Sequence, residues 1–291
     1  MNGVIIIDKP SGMTSHDVVN RVRRILGQKA VGHLGTLDPM ASGVLPIVAG
    51  SLTRLAQFYL KSEKCYAGEI RFGFSTDTCD AEGEPASAPQ AVDLSLDQVR
   101  SAAAAFVGHL EQTPPAFSAK KIQGVPAYKL ARGKHDVQLK PVPVEVKEFE
   151  VQHLNGDRAG FRARVSSGTY VRSIAHEMGT KLGCGGHLSA LRRTAVAEFT
   201  LDDAVTLEKM AAAGSESLES FFVHPRKLLP ALPAVSADDA AAAMVRVGRS
   251  VNLPEFSSAS LVKVFLGQRE LLAIGRRIAG TLFHPDIVFR A

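Results

Sequence analysis

An α+β fold with a mixed, mostly antiparallel sheet flanked by helices, followed by a small all-β module, is what this 291-residue sequence predicts. Three observations predict it. Strand patterns outnumber helix patterns and do not alternate with them regularly, which argues against a sheet built from βαβ units. Hydrophobic residues make up 45% of the chain, enough for a real core, with charged residues at 22%, near the globular average. Near residue 225 the texture changes: "HPRKLLPALPAVSADDAAAAMVRVGRSVNLPE", rich in proline and alanine, gives way to the short alternating runs "LVKVFLG", "ELLAIGRRI" and "DIVFRA". The Pro/Ala run reads as a linker, and the module after it, at about 60 residues, lies close to the lower size limit for an independent fold. The division is therefore a large domain over 1–228 and a small one over 229–291.

In chain order, "GVIIIDKP" reads as a short buried strand stopped by Pro10. "TSHDVVNRVRRIL" reads as a helix, because Thr14 and Asp17 fit a capping box and Val18, Val19, Val22, Ile25 and Leu26 form one apolar stripe. "EIRFGF" alternates Ile70, Phe72 and Phe74, as a half-buried strand does. The Ala/Pro-rich run 80–92 reads as a surface loop. "LSLDQVRSAAAAFVG" is a second helix, with Ser95 and Gln98 as its capping box, Leu94 and Val99 as its staple and Gly108 as its stop. "PVPVEVKEFEVQHL" and "GFRARVSS" alternate cleanly around "NGD", a hairpin signal. "RSIAHEMGTKLG" is helical, and Gly183, Gly185 and Gly186 read as its C-cap. There is no internal repeat.

Charge and cysteine content narrow the function classes. Residues 118–140, "SAKKIQGVPAYKLARGKHDVQLK", hold six basic residues against Asp136 alone. Their net +5 equals that of the whole chain, so the other 28 basic and 28 acidic residues cancel. Such a segment is either a solvated surface loop or a contact for a polyanion. Cys65, Cys79 and Cys184 are odd in number and widely spaced, matching neither a disulfide framework nor a CxxC zinc site, so a reducing cytoplasm is the default. No signal peptide and no membrane span is legible, nor an HExxH, a Walker loop or a GxGxxG after a strand.

The stretch "VGHLGTLDPMASGVLPIVAG", residues 31–50, sets Asp38 directly before Pro39, between Gly35 and Gly43. Asp-Pro commonly starts a helix, since Asp caps and Pro fits the first turn. Gly43 and Pro46 leave that helix little room, and Pro39 biases Asp38 toward an extended backbone. The alternative is a carboxylate held on a stiff turn where a ligand can reach it. His33 could be a metal ligand, but no third ligand stands nearby in the sequence.

At this point the residues resemble a family. "GHLGTLDPMASGVL" closely resembles the catalytic motif of the TruB family of tRNA pseudouridine synthases. "NGVIIIDKPSGMTSHDVV" looks like that family's opening, and "KCYAGEIRFGFSTDTCDAEG" is similar to its tyrosine-bearing strand and TxTxDxxG run. "PPAFSAKKIQGVPAYKLARG" resembles its RNA-gripping insertion, here about 110–140, and "SSGTYVRSIAHEMGTKLGCGGHLSALRRT" its Tyr-x-Arg segment and Leu-Arg-Arg tail. The blocks span residues 3–194 in order, with one departure: Ala197 stands in a turn where the family often has glycine.

The resemblance implies a pseudouridine-synthase catalytic domain followed by a PUA-like RNA-binding domain. The implied reaction isomerises the uridine at position 55 of the tRNA T-loop to pseudouridine, with no cofactor and no metal. Breaking the bond from ribose to the uracil nitrogen, turning the base and rejoining it through carbon needs a carboxylate and a base lifted from its stack. By position, Asp38 would be the nucleophile and Arg172 would pair with it and hold it ionised. Tyr66 would lie against the flipped uracil and take part in moving the C5 proton, although an ordinary tyrosine, pKa about 10, is a poor base. Tyr170 and Leu191 would line the uridine pocket, His33 would help hold flipped nucleotides, and Asp80 would stand behind the catalytic groups. Lys120, Lys121, Lys129 and Arg132 would grip the RNA, while Lys9 and Pro10 would end a strand and brace the loop. The implied partner is tRNA, bound at its T-arm by a monomer with no obligate protein partner and no membrane. A different class of function would be a T-arm-binding tRNA folding chaperone with little or no catalysis.

Overall fold

The computed structural model describes residues 1–290 apart from 119, 123 and 134–138, and only the backbone at 121, 126, 128, 132 and 215. Lys134 and Asp136 of the basic stretch therefore lie outside the described residues, as do the side chains of Lys121 and Arg132.

The chain runs β1 (Gly3–Lys9), α1 (Ser15–Leu26), β2 (Val31–His33), β3 (Ser42–Ala49), α2 (Ala56–Tyr59) and β4 (Lys64–Phe72). Next come α3 (Leu96–Ala104), β5 (Gly108–Gln112), β6 (Lys121–Ile122), β7 (Val125–Pro126) and α4 (Ala127–Arg132). The large domain is completed by β8 (Val142–Asn155), β9 (Arg158–Val165), α5 (Val171–Lys181), β10 (Gly186–Val196), β11 (Phe199–Thr200) and α6 (Leu207–Ala212). Its sheet runs β1-β3-β10-β4-β9-β8-β5, with β2 beside β3 and β11 beside β10. Every pairing is antiparallel except β3 with β10.

The sheet is covered on both faces, and β1 shows why its sequence is an unbroken apolar run. Ile5 and Ile7 point to a core shared with α1, α3, α5 and α6, whereas Val4 and Ile6 point to a second core on the other face. A strand buried on both sides has no polar phase. The predicted capping boxes of α1 (Thr14, Asp17) and α3 (Ser95, Gln98) are both formed. The β8–β9 hairpin turns at Gly156, whose φ of 59° suits a residue without a Cβ. One expected boundary moves. Helix α3 ends at Ala104, not at Gly108, because the chain turns to carry Phe106 into the core; Gly108, at φ 111°, instead opens β5.

The Pro/Ala-rich run is not a plain linker. It contains β12 (Ala234–Ala237) and α7 (Asp239–Arg246), which join β13 (Val251–Asn252), β14 (Leu261–Leu266), β15 (Glu270–Ala279) and β16 (Leu282–Val288). The second sheet runs β12-β14-β15-β16-β13, so the small domain is a β domain that also carries one helix. Asp238 caps that helix, accepting from the Ala241 N–H at 2.8 Å, and Ala242 and Val245 bury its apolar side. The small domain is docked on the large one: Phe265, Leu271, Ile274, Ile287 and Phe289 pack in the second core with Val4, Ile6, Val44 and Val48. The Tyr59 hydroxyl donates to Glu198 at 2.6 Å, and Leu229 N–H donates to the same carboxylate at 2.9 Å, which pins the chain at the crossing. Among the described residues no helix is long and apolar enough to cross a membrane.

Candidate active site

The Asp38 turn connects β2 to β3 and is fixed from three sides. Gly43, at φ 103° and second in β3, runs so close to β10 that a Cβ there would lie 2.2 Å from the Arg193 carbonyl oxygen. Lys9, fully buried at the end of β1, donates from Nζ to the carbonyls of Pro10 (2.9 Å), Pro39 (3.1 Å) and Ala41 (2.6 Å). Arg193, also buried, donates to the carbonyls of Gly35 (3.1 Å), Thr36 (3.2 Å) and Val44 (2.8 Å). The hydroxyl of Ser15 accepts from Leu37 N–H at 2.8 Å and donates to its carbonyl at 3.1 Å. Backbone on both sides of Asp38 is thus tied down, and the Asp-Pro pair starts no helix: a turn closes from Ala41 N–H to the Asp38 carbonyl at 3.1 Å, and β3 follows.

Arg172 meets that carboxylate from α5. An arginine in the first turn of a helix is disfavoured by the helix dipole and usually reaches solvent. Here it is only 4% exposed, because two carboxylates face it. Nε lies 2.9 Å from Asp38 Oδ2, Nη2 donates to Asp38 Oδ1 at 3.2 Å, and Nη1 lies 3.2 Å from Asp80 Oδ2. The same guanidinium donates to the carbonyls of Thr78 (3.1 Å) and Phe117 (3.0 Å). Gln112 sets the entry to α5, accepting from Tyr170 N–H at 2.7 Å and donating to the Tyr170 carbonyl at 3.0 Å.

Asp38 and Arg172 form a ridge between two hollows. The smaller, about 280 Å³, is lined by Tyr66, Tyr170, Leu191, Lys64, Arg193 and the 166–169 loop. The larger, about 640 Å³, is lined by His33, Thr78, Asp80, Phe117 and Ser118. Five of the sequence-predicted site residues, Asp38, Arg172, Tyr66, Tyr170 and Leu191, therefore converge on one pocket, and His33 stands across Asp38 from it. Lys120 and Lys129 are exposed and border neither hollow. Among the described residues, the segment meets the site at its root, where Phe117 and Ser118 wall the larger hollow.

Burial governs the electrostatics. It pushes the Asp38 carboxyl above the usual aspartate range; Arg172 pulls it back down and the neighbouring Asp80 adds to the rise. Burial likewise pushes the Tyr66 phenol up, against the pull of Arg193, away from the range of a tyrosine base. The Tyr170 phenol is pushed up, and the His33 imidazole is pushed down by burial and by Arg193, which favours its neutral form.

Three residues carry more of this site than sequence reasoning gave them. Asp80 bonds Arg172 directly, Arg193 ties the loop that bears Asp38, and Lys64 borders the pocket at 7% exposure. A signal for Arg193 was available: it falls in the β10 run "HLSALRRTAV" between inward Leu191 and Val196, directly across from Tyr66 in β4.

A carboxylate locked on a rigid turn and paired with a buried arginine lines a pocket with aromatic sides, an arrangement that can present an aimed carboxylate to a bound ligand. Residues 23–171 match the family model described as the TruB family pseudouridylate synthase N-terminal domain, and residues 172–230 match the tRNA pseudouridylate synthase B C-terminal domain. The tRNA pseudouridine synthase B of Solibacter usitatus is 50% identical, covering 99% of this chain and 100% of that protein. That of Aromatoleum aromaticum is 40% identical over 94% of this chain and 88% of that protein. Among solved structures, a chain of the archaeal box H/ACA sRNP Nop10-Cbf5 complex superposes with a TM-score of 0.70 at 27% identity, covering 99% of this chain and 86% of that one. The chain belongs to the TruB family of pseudouridylate synthases, and it is an enzyme of that class.

Proposed function

We propose that this enzyme converts the uridine at position 55 of the tRNA T-loop to pseudouridine, with the base flipped into the smaller pocket, Asp38 as nucleophile and no cofactor. The observation that carries this reading is the Asp38–Arg172 pair, 2.9 Å apart, set beside Tyr66, Tyr170 and Leu191 around one pocket of about 280 Å³. The names of the relatives, tRNA pseudouridine synthase B, support tRNA as the substrate class.

The geometry supports the following roles. A flipped base enters a site walled by aromatic and aliphatic side chains, which replaces the stacking it gave up. Tyr66 offers the base its ring face, and its raised phenol acts as a neutral group. Tyr170 and Leu191 bound the ring. Arg172 holds both Asp38 oxygens in one orientation, so the carboxylate is aimed before the substrate arrives. His33, neutral and anchored where its Nδ1 accepts from Gly35 N–H at 3.3 Å, is placed to support displaced nucleotides. Lys120, Lys121, Lys129 and Arg132 contact the phosphates of the T-arm, with the PUA-like small domain as a second RNA-binding surface. The enzyme works as a monomer, without a guide RNA or protein partner. A folding chaperone for the T-arm would have no use for an aimed carboxylate, which favours catalysis over that reading.

The test is to incubate the purified protein with an unmodified tRNA transcript and map pseudouridine by chemical probing. Modification at position 55 is expected. No modification, or modification confined to another site, would contradict the reading.

A further inference from the structure

Two cations border the smaller pocket outside any salt bridge among the described residues, although the Asp38 carboxylate on the same pocket acts on Arg193. Arg193, 1% exposed, spends its donors on the carbonyls of Gly35, Thr36 and Val44. Lys64, 7% exposed, donates from Nζ to the carbonyls of Leu60 (3.3 Å) and Ser62 (2.5 Å). Among the described residues neither forms an ion pair, unlike Arg172 in the same pocket. They stand together: a Cβ on Gly35 would lie 3.7 Å from Arg193 Nη1 and 3.8 Å from Lys64 Cε. Arg193 is the cross-strand partner of Tyr66, and Lys64 lies two residues before Tyr66, hence on the same face of β4. Burying a cation without a counter-charge is costly, and carbonyl dipoles compensate only in part. A pocket built this way is made to receive negative charge.

The proposed reaction generates such charge. When the C1′–N1 bond breaks, its electron pair leaves with the uracil and spreads from N1 onto O2 and O4. Asp38 bonds C1′ as that bond breaks; when C5 of the uracil anion attacks C1′, the C1′–Asp38 pair returns to the carboxylate, the C5 proton is lost and N1 takes one up, so atoms and electrons balance without any co-reactant. We infer that Lys64 is a catalytic residue that donates its remaining N–H to the uracil anion, with Arg193 as the positioning residue that holds the Asp38 loop and the pocket floor beneath it. This rests on the reading that the pocket takes a tRNA uridine. An ammonium has three donors, and the two carbonyls occupy two. Donors aimed at charge that develops only during reaction stabilise the transition state more than the ground state.

The charge on Lys64 is also switchable. Burial, and then Arg193, push its pKa down to about 8. The groups that face it are Arg193 from β10, Asp38 and Arg172 across the pocket, and Tyr66 on its own strand; its partners on the two flanking strands, Val165 and Val196, carry no charge.

The experiment measures single-turnover rate under saturating enzyme, from about pH 6 to about pH 10, together with tRNA Kd, for wild type, Lys64→Gln and Lys64→Arg. Loss of one such donor lowers rates by roughly 10²–10³ in other enzymes, and Lys64→Gln should do the same with Kd within a few fold. Wild type should lose rate as pH rises through about 8. Lys64→Arg, which keeps its charge, should retain much of the neutral-pH rate and move the alkaline limb upward. A Lys64→Gln rate within threefold of wild type would overturn the inference. So would weakened binding with an unchanged saturated rate, which marks a phosphate contact, or an alkaline limb unmoved in Lys64→Arg, which leaves Lys9, also near 8, as the titrating group. A wild type that forms no pseudouridine in tRNA at all would instead sink the reading on which the inference rests.

Discussion

The loop that carries Asp38 and the basic segment from residue 120 to 132 are built in opposite ways. Around Asp38, buried Lys9, Ser15 and Arg193 hold the backbone at Pro39, Ala41, Leu37, Thr36 and Gly35, so one geometry is imposed on the carboxylate. In the basic segment the described secondary structure is two two-residue strands and a six-residue helix, and Lys120 and Lys129 project into solvent. Chemistry needs atoms held to within a fraction of an ångström, whereas neutralising phosphates needs only charge at the right distance. The boundary between the two falls at Phe117, whose carbonyl accepts from Arg172.

This contrast can be broken most sharply at Asp38. Asp38→Asn is nearly isosteric but cannot act as a nucleophile, so turnover should fall well beyond ~10³ while tRNA affinity stays within a few fold. Arg172→Lys keeps a charge but loses the planar fork that reaches Asp38, Asp80 and two carbonyls together, and should lower the single-turnover rate by roughly 10² with little change in Kd. On the other side of the comparison, replacing Lys120, Lys121, Lys129 and Arg132 with Gln should weaken binding and flatten the plot of log affinity against log salt by up to about 3 units. A salt titration reads that directly; an unchanged slope would make the segment a solvated loop.

A pH profile sharpens the catalytic side. The nucleophile must be ionised, and burial raises the Asp38 pKa, so rate should be present above that raised value and be lost as pH falls through it, at a pH above the ordinary aspartate range. Asp80 contributes to the rise, so Asp80→Asn should move this acid limb to lower pH; a limb that stays or rises would show that Asp80 does not act on Asp38 electrostatically. The smallest effect lies outside the site. Ala197 adopts φ 50° in the β10–β11 turn, where a Cβ is unfavourable. Ala197→Gly should raise Tm by up to about 2 °C, the strain relieved being offset in part by the freer unfolded chain.

The order of motifs made the nucleophile and its arginine legible in the sequence, and Ala197 was placed in a turn. What stayed hidden was burial. Lys64 went unassigned in the sequence and Arg193 showed only its place between inward residues, and packing against the Asp38 loop is what reveals two enclosed cations. The second carboxylate on Arg172, Asp80, lies 92 positions earlier and was not paired with it in the sequence. Helix α7 was obscured by a composition that suits a linker, although Asp238 ahead of an alanine run was a usable cap signal.

The most direct test of the account sets two variants side by side on one unmodified tRNA: Asp38→Asn and the Gln-substituted basic segment, each measured for Kd and for single-turnover formation of pseudouridine at position 55 under saturating enzyme. The account predicts that Asp38→Asn binds and does not convert, and that the segment variant binds weakly yet, once saturated, converts at close to the wild-type rate. Conversion by Asp38→Asn within tenfold of wild type would contradict the assignment of Asp38, and collapse of the saturated rate in the segment variant would contradict the separation of grip from chemistry.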